Sequence, residues 1–315
     1  MKILYTGSNG LLGQKISAAT AGYKQHSFLA TARGENRTVN LGGASYAAMD
    51  ITNAEAVNAV VKDFQPDVII HGAAMTHVDQ CEQNKELAYQ LNVIGTKNVA
   101  EAAREVGAHL VHISTDFIFD GTEGPYDEQG IPNPLSYYGE TKLEAERIVQ
   151  QLEQWSILRT VLVIGMAEDL SRSNIVLWAK GALEKGQAIN VVDDQFRTPT
   201  LAEDLAQGAL LAATQKAQGI YNISGPDFMS IYELVGRVAT HFGLSMDAVT
   251  RVDSTTLNQP AKRPPRTGFD ITKAKTELGF KPHTFSEALA VIAEQAGLQP
   301  AICSLSFNRL FSGLF

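Results

Sequence analysis

Only two cysteines, Cys81 and Cys303, occur in 315 residues. Far apart in the chain, they supply no disulfide framework and suit a reducing compartment. Long apolar runs are missing too, none approaching the ~18 residues of a spanning helix, which argues against a membrane protein. Positive charge is in short supply: 26 lysines and arginines face 34 aspartates and glutamates, for a net charge of −8. That balance argues against non-specific binding to nucleic acid or to an anionic membrane. No grouped carboxylates mark a metal site, and there is no internal repeat or low-complexity linker. What is present is a globular composition, 44% apolar and 19% charged, long enough for one large or two ordinary domains. Met1-Lys2 leads straight into a strand-like segment rather than a signal peptide, so the expected location is cytoplasmic.

That first segment, Ile3-Leu4-Tyr5-Thr6, is followed at once by Gly7-Ser8-Asn9-Gly10-Leu11-Leu12-Gly13 and a helix-like stretch to about Ala21. Strand, glycine-rich turn and helix together point backbone N–H groups and a helix dipole at a pyrophosphate. Gly7, Asn9, Gly10, Leu11, Leu12 and Gly13 are therefore candidate dinucleotide-binding residues. Ser27 to Ala32 reads as the second strand and ends at Arg33. An acidic residue there would bond the adenosine ribose diol, whereas arginine suits a 2′-phosphate; the expected cofactor is NADPH, with NADH as the alternative. Ala47 to Asp50 reads as a short strand, Asn53 to Phe64 as a helix, and Asp67 to Gly72 as a buried parallel strand running into Ala73 and Ala74. Small residues at that point let a cofactor lie against the backbone.

The stretch from Ser114 to Lys142 carries the chemistry. Ser114-Thr115-Asp116 ends the apolar strand Leu110 to Ser114, where open parallel sheets bind their ligands. Tyr138 and Lys142 stand four residues apart, and with a helix start at Pro134-Leu135-Ser136 their side chains share one face. An ammonium beside a phenol lowers a pKa that begins near ~10, so proton exchange close to neutral pH is expected of Tyr138. A Thr115 hydroxyl beside that phenol could hold a carbonyl oxygen.

Helical patterns run from about Glu82 to Val106, followed by the Leu110 strand, the Tyr138 helix and a strand from Ile157 to Ile164 ending at Gly165. Strands alternating with helices predict an α/β fold with a doubly wound parallel sheet. The alternation loosens beyond Gly165. Arg172 to Glu184, Leu201 to Ala213 and Ile231 to Phe242 look helical; Ala188 to Val192 and Gly219 to Ile223 look like strands. The expected division is a dinucleotide-binding domain over 1–165 and, over 166–315, mainly a smaller α/β substrate-binding lobe with some segments returning to the sheet. Phe307, Leu310, Phe311, Leu314 and Phe315 form one apolar helical face near the end. That face is expected to pack on its own chain or on a second copy, as in a homodimer.

Taken together, these residues resemble the extended short-chain dehydrogenase/reductase superfamily, and within it the dTDP-4-dehydrorhamnose reductase family, from Lys2 to about Leu289. The general features are the glycine turn, Asp50-Ile51, His71-Gly72-Ala73-Ala74, Asn92-Val93-x-Gly95-Thr96 and Tyr138-x-x-x-Lys142. More specific to the reductases are Ser114-Thr115-Asp116-Phe117-Ile118-Phe119-Asp120-Gly121, Pro125-Tyr126-x-Glu128, Asp194-Gln195-x-x-x-Pro199-Thr200 and Arg263-Pro264. The resemblance implies a Rossmann fold in which Asp50, Ile51 and Asn92 join the cofactor residues. It implies that Thr115 and Tyr138 bond the C4 carbonyl of a keto-sugar nucleotide, that Tyr138 donates the proton, that Lys142 binds the nicotinamide ribose and tunes the phenol, and that Asp116 supports them. Asn174 looks like the family's substrate-lobe asparagine, and Arg197, Lys262, Arg263 and Arg266 can offer positive charge to a nucleotide diphosphate.

Two departures bear on the activity. Arg197-Thr198 replaces smaller residues usual between Asp-Gln and Pro-Thr, giving Phe196 to Pro199 the flavour of a sugar-nucleotide epimerase. Phe117 stands where a dehydratase of the superfamily has a glutamate, which argues against dehydration. The alternatives to a reductase are thus an epimerase with a retained NAD, or a non-catalytic regulatory subunit with the same fold, such as the beta subunit of methionine adenosyltransferase. Intact Thr115, Tyr138 and Lys142 weigh against the last.

Overall fold

A computed structural model of the chain describes residues 1–168 and 174–298. Strands and helices alternate through the first half: β1 (Lys2–Thr6), α1 (Leu11–Ala19), β2 (Ser27–Ala32), β3 (Ser45–Ala48), α2 (Ala54–Phe64), β4 (Val68–His71), α3 (Val78–Gln83), α4 (Lys85–Tyr89), α5 (Gly95–Val106), β5 (His109–Thr115), α6 (Tyr137–Val149) and β6 (Trp155–Thr160). Then come β7 (Val163–Ile164), α7 (Ile175–Glu184), β8 (Ile189–Val192), β9 (Phe196–Arg197), β10 (Thr200–Leu201), α8 (Ala202–Gln215), β11 (Gly219–Ile223), β12 (Met229–Ser230), α9 (Ile231–Phe242), β13 (Val249–Val252) and α10 (Phe285–Gln295).

Seven strands form one parallel sheet in the order β11-β6-β5-β4-β1-β2-β3. The α/β doubly wound Rossmann sheet expected from the alternation is therefore present. Apolar residues cover both of its faces, which is why the strands read as continuous apolar runs. On one face Ile3, Tyr5, Val111 and Leu158 pack with Leu205 and Ala209 of α8 and with Phe280. On the other, Leu4, Ile69, Leu110 and Ile157 pack with Val57 and Val61 of α2, Val99 of α5 and Val149 of α6. Strand order reverses between β1 and β4, and beyond the carboxyl ends at such a point open parallel sheets bind their ligands. The Gly7 turn, the Gly72 turn and the end of β5 all lie at those ends.

The later segments divide their packing. α8 and β11 join the sheet, β11 pairing with β6. A separate core gathers Val176 and Leu183 of α7, Val191 of β8, Leu234 and Val238 of α9, and Leu289 and Ile292 of α10.

Three boundaries differ from the sequence reading. The single strand expected over Ile157 to Ile164 is two, because the chain leaves the sheet after Thr160: Leu162 takes φ 38° and β7 pairs with β10 instead. Thr200 Oγ1 donates to the Val161 carbonyl at 2.6 Å and holds that departure in place. The helical stretch expected from Glu82 starts at Val78, breaks at Asn84, and passes through a π-helical turn at Gln90–Ile94. β3 stops at Ala48, and Asp50 lies in a turn where it accepts from Thr52 N at 3.0 Å and Thr52 Oγ1 at 2.8 Å. The start of the helix expected at Arg172, Cys303 and the apolar face from Phe307 to Phe315 lie outside the described residues.

Candidate active site

The glycine turn is built to approach an anion. Gly7 takes φ 78°, a conformation that favours glycine. A Cβ on Gly13 would lie 2.3 Å from the Gly7 carbonyl oxygen, so only glycine lets α1 close on the turn. α1 begins with no side-chain cap and no acidic residue in its first turn. Its first-turn N–H donors and the positive end of its dipole are thus uncapped by any side chain. A dinucleotide pyrophosphate fits that donor set.

Around it, the other expected cofactor residues take distinct parts. Leu12 packs over Gly72 and Leu11 against Gly165. Asn9 pins the segment after β2, its Nδ2 donating to Glu35 O at 3.0 Å and its Oδ1 accepting from Arg37 N at 2.8 Å. Arg33 is exposed at the end of β2. Ala73 N donates to Thr6 Oγ1 at 3.1 Å, and Ala73 crowds Gly7, so Ala73-Ala74 lies against the glycine turn. Ile51 is buried beneath Gly95. Asn92 is buried in the π-helical turn, and its amide is fully engaged: Oδ1 accepts from Met75 N at 2.7 Å, while Nδ2 donates to Met75 O and Thr141 Oγ1, both at 3.1 Å. Asn92 is thereby a brace between the Ala73-Ala74 segment and α6, a use that the resemblance did not specify.

Thr115, Asp116, Tyr138 and Lys142 converge at the end of β5. Ser136 caps α6, its Oγ accepting from Gly139 N at 3.3 Å, so the helix starts one residue before Tyr138. The Tyr138 ring lies edge-on to Phe117, with centroids 5.7 Å apart, in a cluster with Cys81 and Ala88. Its phenol lies beside the Thr115 hydroxyl, which draws its pKa down. Thr115 Oγ1 also donates to Asp116 Oδ1 at 3.1 Å. Asp116 is buried, which raises its pKa against the opposing pull of Arg197 and of hydrogen bonds from Thr267 and Thr115.

One expectation about Tyr138 is overturned. Burial raises its pKa, and Asp116 nearby raises it further, outweighing the Thr115 hydroxyl. Lys142 turns inward: its ammonium donates to Ile113 O at 2.7 Å and contacts His112 Nε2 at 3.1 Å. The i,i+4 spacing brings the two side chains to one face, but desolvation decides the phenol's titration. Lys142 itself is pushed down from 10.5 to about 8 by burial, partly offset by Glu146. Tyr138 is thus held as a protonated phenol, the form an acid needs.

Behind Lys142 lies a polar row that the motif reading passed over. Thr6, His71 and His112 occupy matched positions on β1, β4 and β5. The His71 and His112 rings lie 5.4 Å apart, and both are buried. The available signal was a histidine in each of two otherwise apolar strands, Val68-Ile69-Ile70-His71 and Leu110-Val111-His112-Ile113. Thr267 was missed as well; its hydroxyl donates to Asp116 Oδ2.

The basic residues of the second half do not stand as a free patch. Arg197 is buried, with Nη1 donating to Phe196 O at 2.7 Å and Pro265 O at 3.2 Å, Nη2 to Pro264 O at 2.8 Å, and Nε 3.7 Å from Asp116 Oδ2. Its expected diphosphate role is replaced by that of a strut joining the proline-rich segment to the end of β5, because carbonyl oxygens and Asp116 already occupy its fork. Arg263 forms a two-pronged pair with Asp79 of α3, at 3.1 and 2.8 Å. Asn174 caps α7, its Oδ1 accepting from Val176 N at 3.0 Å. Arg266 is exposed, its guanidinium 4.7 Å from the Phe196 ring centre and 5.2 Å from that of Phe228. Among the described residues no group of acidic, histidine or cysteine side chains could hold a metal ion, and no helix is long and apolar enough to cross a membrane.

The model of the RmlD substrate binding domain matches residues 1–297. The chain belongs to that family. This RmlD-family chain is 36% identical over 249 residues to methionine adenosyltransferase 2 subunit beta of Xenopus laevis, covering 77% of this chain and 72% of that protein. It is 31% identical over 312 residues to dTDP-4-dehydrorhamnose reductase of Aggregatibacter actinomycetemcomitans, covering 94% and 99% of the two chains. Its fold matches the crystal structure of dTDP-4-dehydrorhamnose reductase from Bacillus anthracis in complex with NADP, with a TM-score of 0.79, 29% identity and coverage of 93% and 99%. This chain is thus similar both to a reductase and to an enzyme subunit, at comparable identity.

Proposed function

We propose that this RmlD-family protein is an NADPH-dependent reductase that acts on the C4 ketone of a nucleotide-linked 4-keto-6-deoxy sugar. The observation that carries the reading is the pairing of the Thr115 hydroxyl with a buried, protonated Tyr138 phenol at the end of β5, beside a turn suited to a pyrophosphate. The glycine turn, Ala73-Ala74, Arg33 and Lys142 would hold the cofactor, which supplies hydride when bound. Reduction of a ketone builds negative charge on its oxygen; the Tyr138 phenol can donate to that oxygen, and so can the Thr115 hydroxyl once its hydrogen turns from Asp116. Tyr138 then gives up its proton, the raised pKa keeping it loaded at neutral pH until the stronger base forms. Asp116 orients Thr115 from behind and is itself fixed by Thr267 and Arg197. Arg33, with no acidic residue at the end of β2, supports NADPH over NADH.

The second reading, a non-catalytic subunit, rests on the 36% identity to methionine adenosyltransferase 2 subunit beta. A retained proton donor with its Thr115 partner favours the reductase. Loss of NADPH absorbance across a panel of 4-keto sugar nucleotides separates them. Turnover with dTDP-4-keto-6-deoxymannose is the expected result. No NADPH consumption with any member of the panel would remove the reductase and leave the subunit, while tightly co-purifying NAD would point to an epimerase.

A further inference from the structure

We infer that His112 is a positioning residue for Lys142: its Nε2 accepts one ammonium hydrogen, the Ile113 carbonyl accepts a second, and the third is left pointing to a ligand. The inference rests on the proposed reading that Lys142 serves the cofactor.

The neighbouring hydrogen bonds settle the roles of the nitrogens. Thr96 Oγ1 gives its hydrogen to Asn92 O at 2.6 Å, so it accepts from His71 Nε2 at 3.1 Å. In the neutral ring Nδ1 is then bare and accepts from Thr6 Oγ1 at 2.8 Å, which itself accepts from Ala73 N at 3.1 Å. Every member of that chain is satisfied, so His71 is neutral and fixed in place. His112 differs. Its Nε2 faces Lys142 Nζ at 3.1 Å, and its Nδ1 is buried with no hydrogen-bond partner among the described residues. An orphaned buried nitrogen is unfavourable by itself. It follows from a ring turned to serve the ammonium, since a charged lysine can only donate. An aliphatic or aromatic residue would fill the site between two apolar strands without that penalty.

The ionisable groups bearing on this pair are His71 on β4, Glu146 on the same helix as Lys142, and Tyr138 one turn earlier. Glu146 is already paired with Arg159 of β6, at 2.8 Å. No carboxylate hydrogen-bonds Lys142 among the described residues, so a carbonyl and an imidazole set where its charge sits. Lys142 titrates at about 8. Loss of the imidazole acceptor should lower that value and leave the amine less confined.

Two measurements test this. In the wild type without ligand, ring nitrogen NMR between about pH 6 and 8 should find His112 neutral with hydrogen on Nδ1, and Lys142→Met should move it to Nε2. Hydrogen on Nε2 in the wild type would overturn the inference whatever the protein catalyses. NADPH titrations against pH are the second measurement. Wild-type affinity should fall as pH rises through about 8. In His112→Phe the same fall should come about one unit lower and affinity at neutral pH should drop by about tenfold, with His112→Gln, which keeps an acceptor near Nε2, restoring both. A His112→Phe protein with a lowered melting temperature but an unmoved pH profile would reduce His112 to packing. A wild type that binds no nicotinamide cofactor would instead sink the proposed function, while the NMR result still decides the placement of Lys142.

Discussion

Lys142 and Arg197 are both buried cations at the end of β5, and they are opposites. Arg197 has its fork filled by three carbonyl oxygens and lies beside a carboxylate, so its charge is neutralised within the protein. Lys142 is held by one carbonyl and one imidazole, and burial lowers its pKa to about 8. A cation held by three carbonyl oxygens and a carboxylate locks two segments together; a cation held by one carbonyl and one imidazole keeps a third donor for something that arrives later. Motif matching treats both as basic site residues, and only the partner lists separate them.

The largest effect expected is on chemistry. Tyr138→Phe removes the proton donor and should lower kcat by on the order of 10² to 10⁴, with NADPH affinity unchanged. A variant that keeps wild-type kcat would reassign the acid. Next is the strut. Arg197→Met leaves Asp116 buried and unpaired and should lower unfolding free energy by about 3–5 kcal/mol, read in urea titrations. If stability holds while only the KM for the sugar nucleotide rises, Arg197 belongs with the ligand-facing cations after all.

Lys142→Met should do the reverse, raising stability at neutral pH by on the order of 1–3 kcal/mol while weakening turnover and NADPH binding. The sign follows from linkage. A folded pKa of about 8, below the unfolded 10.5, means the unfolded chain binds more protons between those values. Wild-type stability should therefore rise with pH across that window and close the gap to the variant. A destabilised Lys142→Met would place Lys142 in Arg197's class. The smallest effect is at the exposed end of β2, where Arg33→Asp should shift preference from NADPH toward NADH by about tenfold in relative Kd. Equal use of both by the wild type, unaltered in the variant, would remove Arg33 from cofactor selection.

Much of the fold was legible because its signals are local. Ser27–Ala32, Gly219–Ile223 and Ile231–Phe242 coincide with runs readable from apolar pattern alone. The glycine turn was legible for the same reason: a strand, a turn that only glycine permits, and a helix are contiguous in sequence. The break after Thr160 was not, since Val161 to Ile164 remains apolar and the cause, Thr200 pulling on the Val161 carbonyl, lies far along the chain. Within the site, the residue types were legible and their partners were not. Four-residue spacing brings Tyr138 and Lys142 to one face, but the direction of the ammonium depends on His112 and Ile113, and the phenol's pKa on how deeply Phe117, Cys81 and Ala88 enclose it. Arg197 read as a cation for a diphosphate because nothing near it in sequence reveals that Pro264 and Pro265 carbonyls will converge on it.

The pairing of β11 with β6 has a consequence for how the protein is made. β6 lies beside β5, whose end carries Thr115, and its outer edge is covered only when Gly219–Ile223 arrives, some sixty residues later than the last residue of β6. During synthesis the emerging Rossmann sheet therefore waits with an apolar edge strand open to other chains. A chain ended at Gly165 keeps every residue of the glycine turn and of the Thr115-Tyr138-Lys142 set, yet lacks both α8 and the strand that seals that edge. The early half holds the chemistry, and the late half decides whether it survives long enough to be used.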